Sequence, residues 1–418
     1  MSFWIGVLIF VVGILVSVCL HEAGHLLTAK RFGMKATQYF AGFGPTVFSF
    51  RRGETEYGLK AVPAGGFVKI VGMTPLEEVA PEDRQRAFWR YPLWQRTVVL
   101  VAGSATHFLL ALIIFYIAGL TTGLPSLAAQ DYDVMKAKPV VGTVSKCVVV
   151  GFDLTKDKAL RDCRAGDPAA PARAAGLQKG DRILAVGGTP VATYGEFVKA
   201  VRGTPPGPVE ITYRRDGETR TTTADLVATQ RPPIDDPTDI KHLTTVSAIG
   251  LSQKLPTFID HYGPVTAVGG SASFLGSNVE QTFAAVGKFP SKIPKLVDAI
   301  GGGQRDPETP ISVVGASRVG GEAIEIGEPI FFLVLLGGLN VFIGVFNLFP
   351  LLPLDGGHVA VAWYERARSW VAARRGRPDP GRVDYNKLLP LTYAVILMFG
   401  TLTLLTLAAD IVNPITLQ

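Results

Sequence analysis

The sequence predicts a polytopic α-helical membrane protein: four transmembrane helices, a membrane-associated β-loop and an extracytoplasmic domain of mixed α and β structure. Three observations carry that reading. Apolar residues are 48% and charged residues 18% of the 418, with mean hydropathy +0.29, and the apolar residues come in blocks. Two loops are rich in lysine and arginine and fall on the same side of the implied membrane. One long polar segment between the second and third blocks carries short β-runs punctuated by turn signals. The formal net charge of +6 argues for no nucleic-acid partner, because the basic residues sit beside apolar blocks instead of forming one stripe with interleaved aromatics.

The first block runs from Phe3 to Leu27, and from Met1 to Leu20 there is not one charged side chain. No positive n-region precedes it and no A-x-A-like site follows before Lys30, so it is expected to remain as a span and not to be removed as a signal peptide. The others run from Thr97 to Leu120, Phe331 to Leu352 and about Leu388 to Ala409. Each has roughly the 20 residues a helix needs to cross a bilayer core. Lys30, Arg31, Arg51, Arg52, Arg90 and Arg96 mark the first loop, and Arg366, Arg374, Arg382 and Lys387 the second. Both loops are therefore read as cytoplasmic, with the termini and the long segment from Thr121 to Pro329 outside. The resulting division is spans at 1–28, 97–120, 330–352 and 388–409, a cytoplasmic loop at 29–96, an outer region at 121–329 and a second cytoplasmic loop at 353–387.

Within the first loop, "ETEYGLKAVPAGGFVKIVG", Glu54 to Gly72, has short β-like runs around Pro63 and Gly65-Gly66, a hairpin signature. Its apolar character fits a dip towards the membrane; a plain surface hairpin fits equally. The outer region contains β-runs at Arg182–Val186 and Val209–Arg214, separated by an amphipathic helix from Tyr194 to Val201, with turns at Lys179-Gly180-Asp181 and Asp216-Gly217. The strings "AGLQKGDRILAVGG" and "TYGEFVKAVR" resemble a bacterial PDZ domain over roughly 140–227. That resemblance implies a groove accepting a peptide as an added strand; a steric cap is the alternative. Pro232 to Asp239 reads as a linker, Phe283 to Ile300 as an amphipathic helix, and "GGGQRDPETPISVVGAS" as a Gly/Pro-rich approach to the third span. Of three cysteines, Cys19 reads as a small core residue. Cys147 and Cys163 share the polar outer segment, and spacing alone leaves a disulfide between them open.

"CLHEAGHLL", Cys19 to Leu27, ends the first apolar block with three ionisable groups. Residues four apart on a helix share a face, so His21 and His25 can offer nitrogens to one metal ion while Glu22 reaches a water on it. Ionisable groups inside an apolar segment cost about 2.5–3.5 kcal/mol each on insertion scales, so they rarely persist without a role. A histidine pair satisfied by hydrogen bonds is the alternative. A catalytic zinc takes three protein ligands and leaves one position open. "NLFPLLPLDGGH", Asn347 to His358, supplies Asp355 beyond Pro350 and Pro353, at the depth of the histidines if the first helix runs inward. Asp355 is the expected third ligand, against the alternative of an aspartate capping the helix that begins near Gly356.

"HEAGH", "PAGGFVKI", the outer PDZ-like module and "NLFPLLPLDGGH", in that order, closely resemble the site-2 protease family of intramembrane zinc metalloproteases over essentially the whole chain. The single PDZ-like module and the glycine-rich approach look like its actinobacterial branch. The resemblance implies Zn2+ held by His21, His25 and Asp355, with Glu22 as general base. It further implies that Asn347 and the Gly65-Gly66-Phe67 loop hold an extended substrate strand. One departure stands out: where relatives commonly carry Gly-Pro and then Asn in the second span, this chain has Gly103-Ser104 and His107. By resemblance the substrates are single-span membrane proteins such as anti-sigma factors, with remnant signal peptides as a further class, cut inside the lipid bilayer after an upstream site-1-type protease. A membrane-anchored PDZ adaptor or chaperone with an inactive metal site is the rival from another class. A transporter or channel ranks below it, because the third and fourth spans hold few polar residues.

Overall fold

Helix α1, Ser2–Arg31, has 30 residues and is about 45 Å long at 1.5 Å per residue. It runs past the apolar block to Gly33, whose φ of 85° ends it while Met34 N donates to Ala29 O at 2.9 Å, a glycine stop. The protein is seen here as a computed structural model that describes residues 2–73, 78–130, 132–150, 163–234, 242–303, 305–306 and 308–417. It divides into two compact units, Met1–Leu124 with Ile259–Gln418, and Pro125–Phe258.

In the first unit α1 is followed by an antiparallel hairpin of β1, Ala36–Arg52, and β2, Thr55–Ile70. A tight turn lies at Gly53, φ 62°, and the chain also reverses around Pro63, as read from the sequence, since Glu56–Leu59 and Gly66–Lys69 flank Gln38–Ala41 in opposite directions. Strand β1 escaped the sequence reading because Gly42-Phe43-Gly44-Pro45 breaks its alternation with turn residues. The register sets Gln38–Ala41 opposite Glu56–Leu59 on one side and Gly66–Lys69 on the other. Among the described residues, the strand partner of Gly66–Val68 is β1 on one side. Helix α2, Leu93–Thr121, starts after Pro92, where a proline costs no helical hydrogen bond.

The second unit contains β3 (Val141–Val144), β4 (Arg182–Val186), β5 (Thr189–Pro190), α3 (Tyr194–Gly203), β6 (Gly207–Arg215), β7 (Glu218–Arg231), β8 (Thr244–Ala248) and β9 (Leu251–Gln253). The sheet order is β5-β4-β6-β7-β8, and β3 pairs separately with β9. Val209, Ile211 and Tyr213 alternate inward along β6 and meet Phe197 and Val201 of α3 in one core. Thr193 and Glu196 close a reciprocal capping box at the start of α3. Asp216 and Gly217 both take positive φ, 52° and 87°, as the two-residue link between β6 and β7 requires. Cys147 and Cys163 form a disulfide. Residues 151–162 of the PDZ-like range and 235–239 of the expected linker lie outside the described residues.

The first unit resumes with α4 (Thr266–Ile300), α5 (Val313–Glu325), α6 (Pro329–Asn347), α7 (Asp355–Arg374) and α8 (Leu389–Val412). Helix α4 starts well before the Phe283 expected, and its Pro290 and Pro294 lie inside it. Helix α5 occupies part of the stretch read as a Gly/Pro-rich approach, capped by Ser312 Oγ on Gly315 N; Gln304 and Pro307 of that stretch are outside the described residues. Helix α6 stops at Asn347, short of the Leu352 read from hydropathy, because Pro350 and Pro353 disfavour helix in the residues before them. Among the described residues, helices α1, α2, α6 and α8 are the four long and apolar enough to cross a membrane.

Candidate metal centre

Three donor atoms converge where α1, α2 and the start of α7 meet. His21 Nε2 and His25 Nε2 are 3.1 Å apart, and Asp355 Oδ2 lies 3.3 Å from the first and 3.4 Å from the second. A tetrahedral ion with ligand bonds of about 2.0–2.1 Å has ligand–ligand edges of about 3.3–3.4 Å. The triangle therefore fits one zinc ion, and the two-nitrogen, one-oxygen donor set is one that zinc accepts. His21 and His25 are 7% and 3% exposed.

Hydrogen-bond accounting agrees with the distances. His25 Nδ1 lies 2.7 Å from the carbonyl of Val99; a carbonyl only accepts, so Nδ1 carries the proton and Nε2 keeps its lone pair for a metal. Asp355 Oδ2 is buried without a hydrogen-bond partner, as are His21 Nδ1 and Ser104 Oγ. Buried polar atoms are nearly always partnered; an orphan carboxylate oxygen aimed at two imidazoles is what an ion would satisfy. Asp355 is the first residue of α7, whose N-cap is Leu354 with no side-chain cap, so it does not serve as the cap residue. Burial pushes its carboxyl up, but the two imidazoles outweigh burial and hold it below the usual carboxylate range.

Local packing positions each donor. A Cβ on Gly103 of α2 would meet both His21 and His25, so only glycine lets α2 pass this close. One on Gly24 would lie 2.7 Å from the carbonyl oxygen of Ala102. One on Gly356 would overlap the backbone of Leu348 and Phe349, so the turn between α6 and α7 is packed on bare main chain. Trp363 Nε1 donates to Thr97 Oγ1 at 3.1 Å, and Arg96 pairs with Glu365 at 3.6 Å; both tie α7 to α2. Burial lowers the His358 imidazole and pushes the Tyr385 hydroxyl up to about 12.

Glu22 is half-buried beside the cluster. A Cβ on Gly66 would stand 3.4 Å from its Cγ. Strand β2 thus passes beside the general-base candidate. Phe67 stacks on Phe40 and Phe43, with centroids 5.6 and 6.1 Å away. Gly65 takes φ 139°, with a Cβ position 2.9 Å from the Phe43 ring. Asn347 ends α6, and its side chain makes no hydrogen bond among the described residues.

A different asparagine is engaged. Asn340 Nδ2 donates to Leu336 O at 2.8 Å, which turns its Oδ1 to His107 Nδ1 at 2.9 Å. His107 is therefore the donor in that bond, with its ring 5.1 Å from that of His21. Sequence reading passed over Asn340 and the Val99 carbonyl. Only Asn340 left a trace: it is an amide inside the apolar run of the third span.

A profile of peptidase family M50 matches residues 9–378. The chain belongs to peptidase family M50. It is 42% identical over 421 residues to the zinc metalloprotease Rip1 of Mycolicibacterium smegmatis, covering 100% of both chains. It is also 42% identical over 417 residues to the zinc metalloprotease Rip1 of Mycobacterium tuberculosis, again covering 100% of both. This M50 chain is a metalloprotease and, with its four apolar helices, a multi-pass membrane protein.

Proposed function

We propose that the chain hydrolyses peptide bonds of single-span membrane proteins within the bilayer, with zinc held by His21, His25 and Asp355 and with Glu22 as general base. The observation that carries this reading is the buried, incompletely bonded donor triangle with a carboxylate and strand β2 beside it. When bound, the ion supplies Lewis acidity that activates water near neutral pH and polarises the scissile carbonyl. Glu22 takes a proton from the attacking water as the C–O bond forms and passes it to the amide nitrogen as the C–N bond breaks. His25 is held in the required tautomer by Val99 O. A helical substrate hides its carbonyls in its own hydrogen bonds, so it must first be extended. Gly66–Val68, at the edge of the hairpin sheet, offers backbone groups to such a strand, and Asn347, Gly65 and Phe67 are assigned to the same role.

The lysine- and arginine-rich loops support an inward orientation for the metal end of α1 and an outward one for the second unit. The Cys147–Cys163 disulfide supports the latter independently, since such bonds persist in oxidising compartments. The second unit, with its five-stranded sheet and capped helix, is read as a PDZ module that admits substrates shortened by an earlier cut. Anti-sigma factors and remnant signal peptides are the proposed substrate classes.

The deciding experiment reconstitutes the full chain with a single-span substrate, intact or trimmed on its outer side. Glu22→Gln is expected to keep its zinc and lose at least ~100-fold in cleavage rate, and trimming is expected to raise the parental rate. Cleavage by Glu22→Gln at the parental rate would overturn Glu22 as the base, and cleavage by neither chain would leave the adaptor reading in its place.

A further inference from the structure

At the foot of α1 a cleft of about 460 Å³ opens between Lys30, Phe50, Arg52, Gly53 and Tyr57. Two cations and two aromatic rings line it, and among the described residues no acid does. The neighbouring Glu54 is already matched by Arg86, which donates to both carboxylate oxygens at 2.5 and 2.8 Å. Lys30 Nζ donates to Tyr57 OH at 2.7 Å, using one of its three N–H groups. Arg52 is exposed and makes no hydrogen bond or ion pair among the described residues.

Beyond the cations the surface turns apolar. Phe50 stacks on Tyr57 with centroids 5.5 Å apart, Phe48 lies 6.0 Å from Phe50, and Val47 and Phe48 are 65% and 60% exposed. Leu59 on β2, opposite Phe48 in the register, adds to the exposed strip. A soluble protein would rarely leave so contiguous an apolar surface uncovered. Here it belongs to a unit whose first helix crosses the bilayer, and cations stand at its base. The order of cation, ring and aliphatic surface is complementary to a lipid with an anionic head and hydrocarbon tails.

We propose that this cleft binds the phosphate-bearing headgroup of an anionic phospholipid. Arg52 supplies a forked pair of N–H donors to the phosphate oxygens, Lys30 a second positive charge, and Phe48 and Val47 carry the acyl chains. This requires that α1 crosses the bilayer and is independent of whether the chain cleaves anything. Held at the junction of α1 and the hairpin, such a lipid would pin the strands that lead to Gly66–Ile70.

The test is lipid binding by the detergent-purified full chain, read by native mass spectrometry. Phosphatidylglycerol, phosphatidylcholine of the same chains, and inorganic phosphate as competitor form its arms. Phosphatidylglycerol is expected to bind at least ~10-fold more tightly than phosphatidylcholine. Arg52→Gln is expected to weaken it by roughly fivefold and Lys30→Gln with Arg52→Gln by well over tenfold, as two cations near a membrane surface imply. Arg374→Gln with Arg375→Gln removes equal charge from the other basic segment and is expected to change nothing. Should the double variant at Lys30 and Arg52 fail to fold, Arg52→Gln decides alone, since that side chain touches no partner. Equal binding of phosphatidylcholine, an equal loss in the Arg374 and Arg375 control, or displacement by millimolar phosphate would each overturn the proposal.

Discussion

Asp181 and Asp355 are both carboxylates withdrawn from water, one in each unit, and their surroundings differ in kind. Asp181 is 1% exposed; its Oδ1 accepts from Arg215 Nε at 2.7 Å, and its Oδ2 from Arg215 Nη2 and Gln178 N, each at 2.7 Å. Both of its oxygens are satisfied by the chain itself. Asp355 points Oδ2 at two imidazole nitrogens and forms no hydrogen bond through it. Leaving a buried polar atom unsatisfied costs about 1–3 kcal/mol, more for a charged one. The first aspartate is a structural clasp, complete without help; the second is placed so that one cation could lie between it and the imidazoles. Counting lone pairs separates the two where burial alone does not.

The largest effect that would test this contrast is on metal content. Asp355→Ala is expected to abolish stoichiometric zinc in the purified full chain, and Asp181→Asn to leave it intact. Elemental analysis of the two variants side by side checks this, and full zinc in Asp355→Ala would break the comparison. A second effect, smaller, is on pH. Burial alone would raise the Asp181 carboxyl, but the Arg215 guanidinium and Gln178 N–H outweigh it and hold it below the ordinary range. A depressed carboxyl stabilises the fold above its unfolded value of about 3.9 and loses that contribution as pH falls through the folded value. Protection of β4 and β6 against hydrogen exchange, corrected for intrinsic rate, should therefore hold at neutral pH and decline below about pH 4. Asp181→Asn should lower the protection at neutral pH and flatten that acid limb. The smallest effect concerns His107, whose Nδ1 is already spent on Asn340. His107→Asn can keep a hydrogen bond there, so zinc content should stay within measurement error of the parent; loss of the ion would make His107 a ligand.

Much of this was legible in the residues. Spans could be read from hydropathy because a bilayer demands a long apolar run whatever the packing. The spacing of His21 and His25 could be read because helix geometry dictates it. Asp355 was reachable through chemical need: a third ligand was wanted, and few carboxylates lie near a membrane end. What escaped depends on partners distant in sequence. Strand β1 hides behind Gly42 and Gly44, both with positive φ, 87° and 84°. The start of α4 at Thr266 lies in a run of Gly, Ser and Ala with weak helix preference. The pairing of His107 with Asn340 joins residues 233 apart, and no local pattern announces it. The disulfide was open on spacing and is decided by the fold, which brings Cys147 and Cys163 to 6.0 Å apart at Cα.

Gly103 has a kinetic consequence. Because the two imidazoles rest against bare main chain of α2, they have no side chain to push aside and no rotamer hop that opens a way out. Release of a bound ion then waits for the two helices to part, so the rate at which a chelator strips this enzyme should follow the looseness of its lipid or detergent surroundings more closely than the chelator's strength.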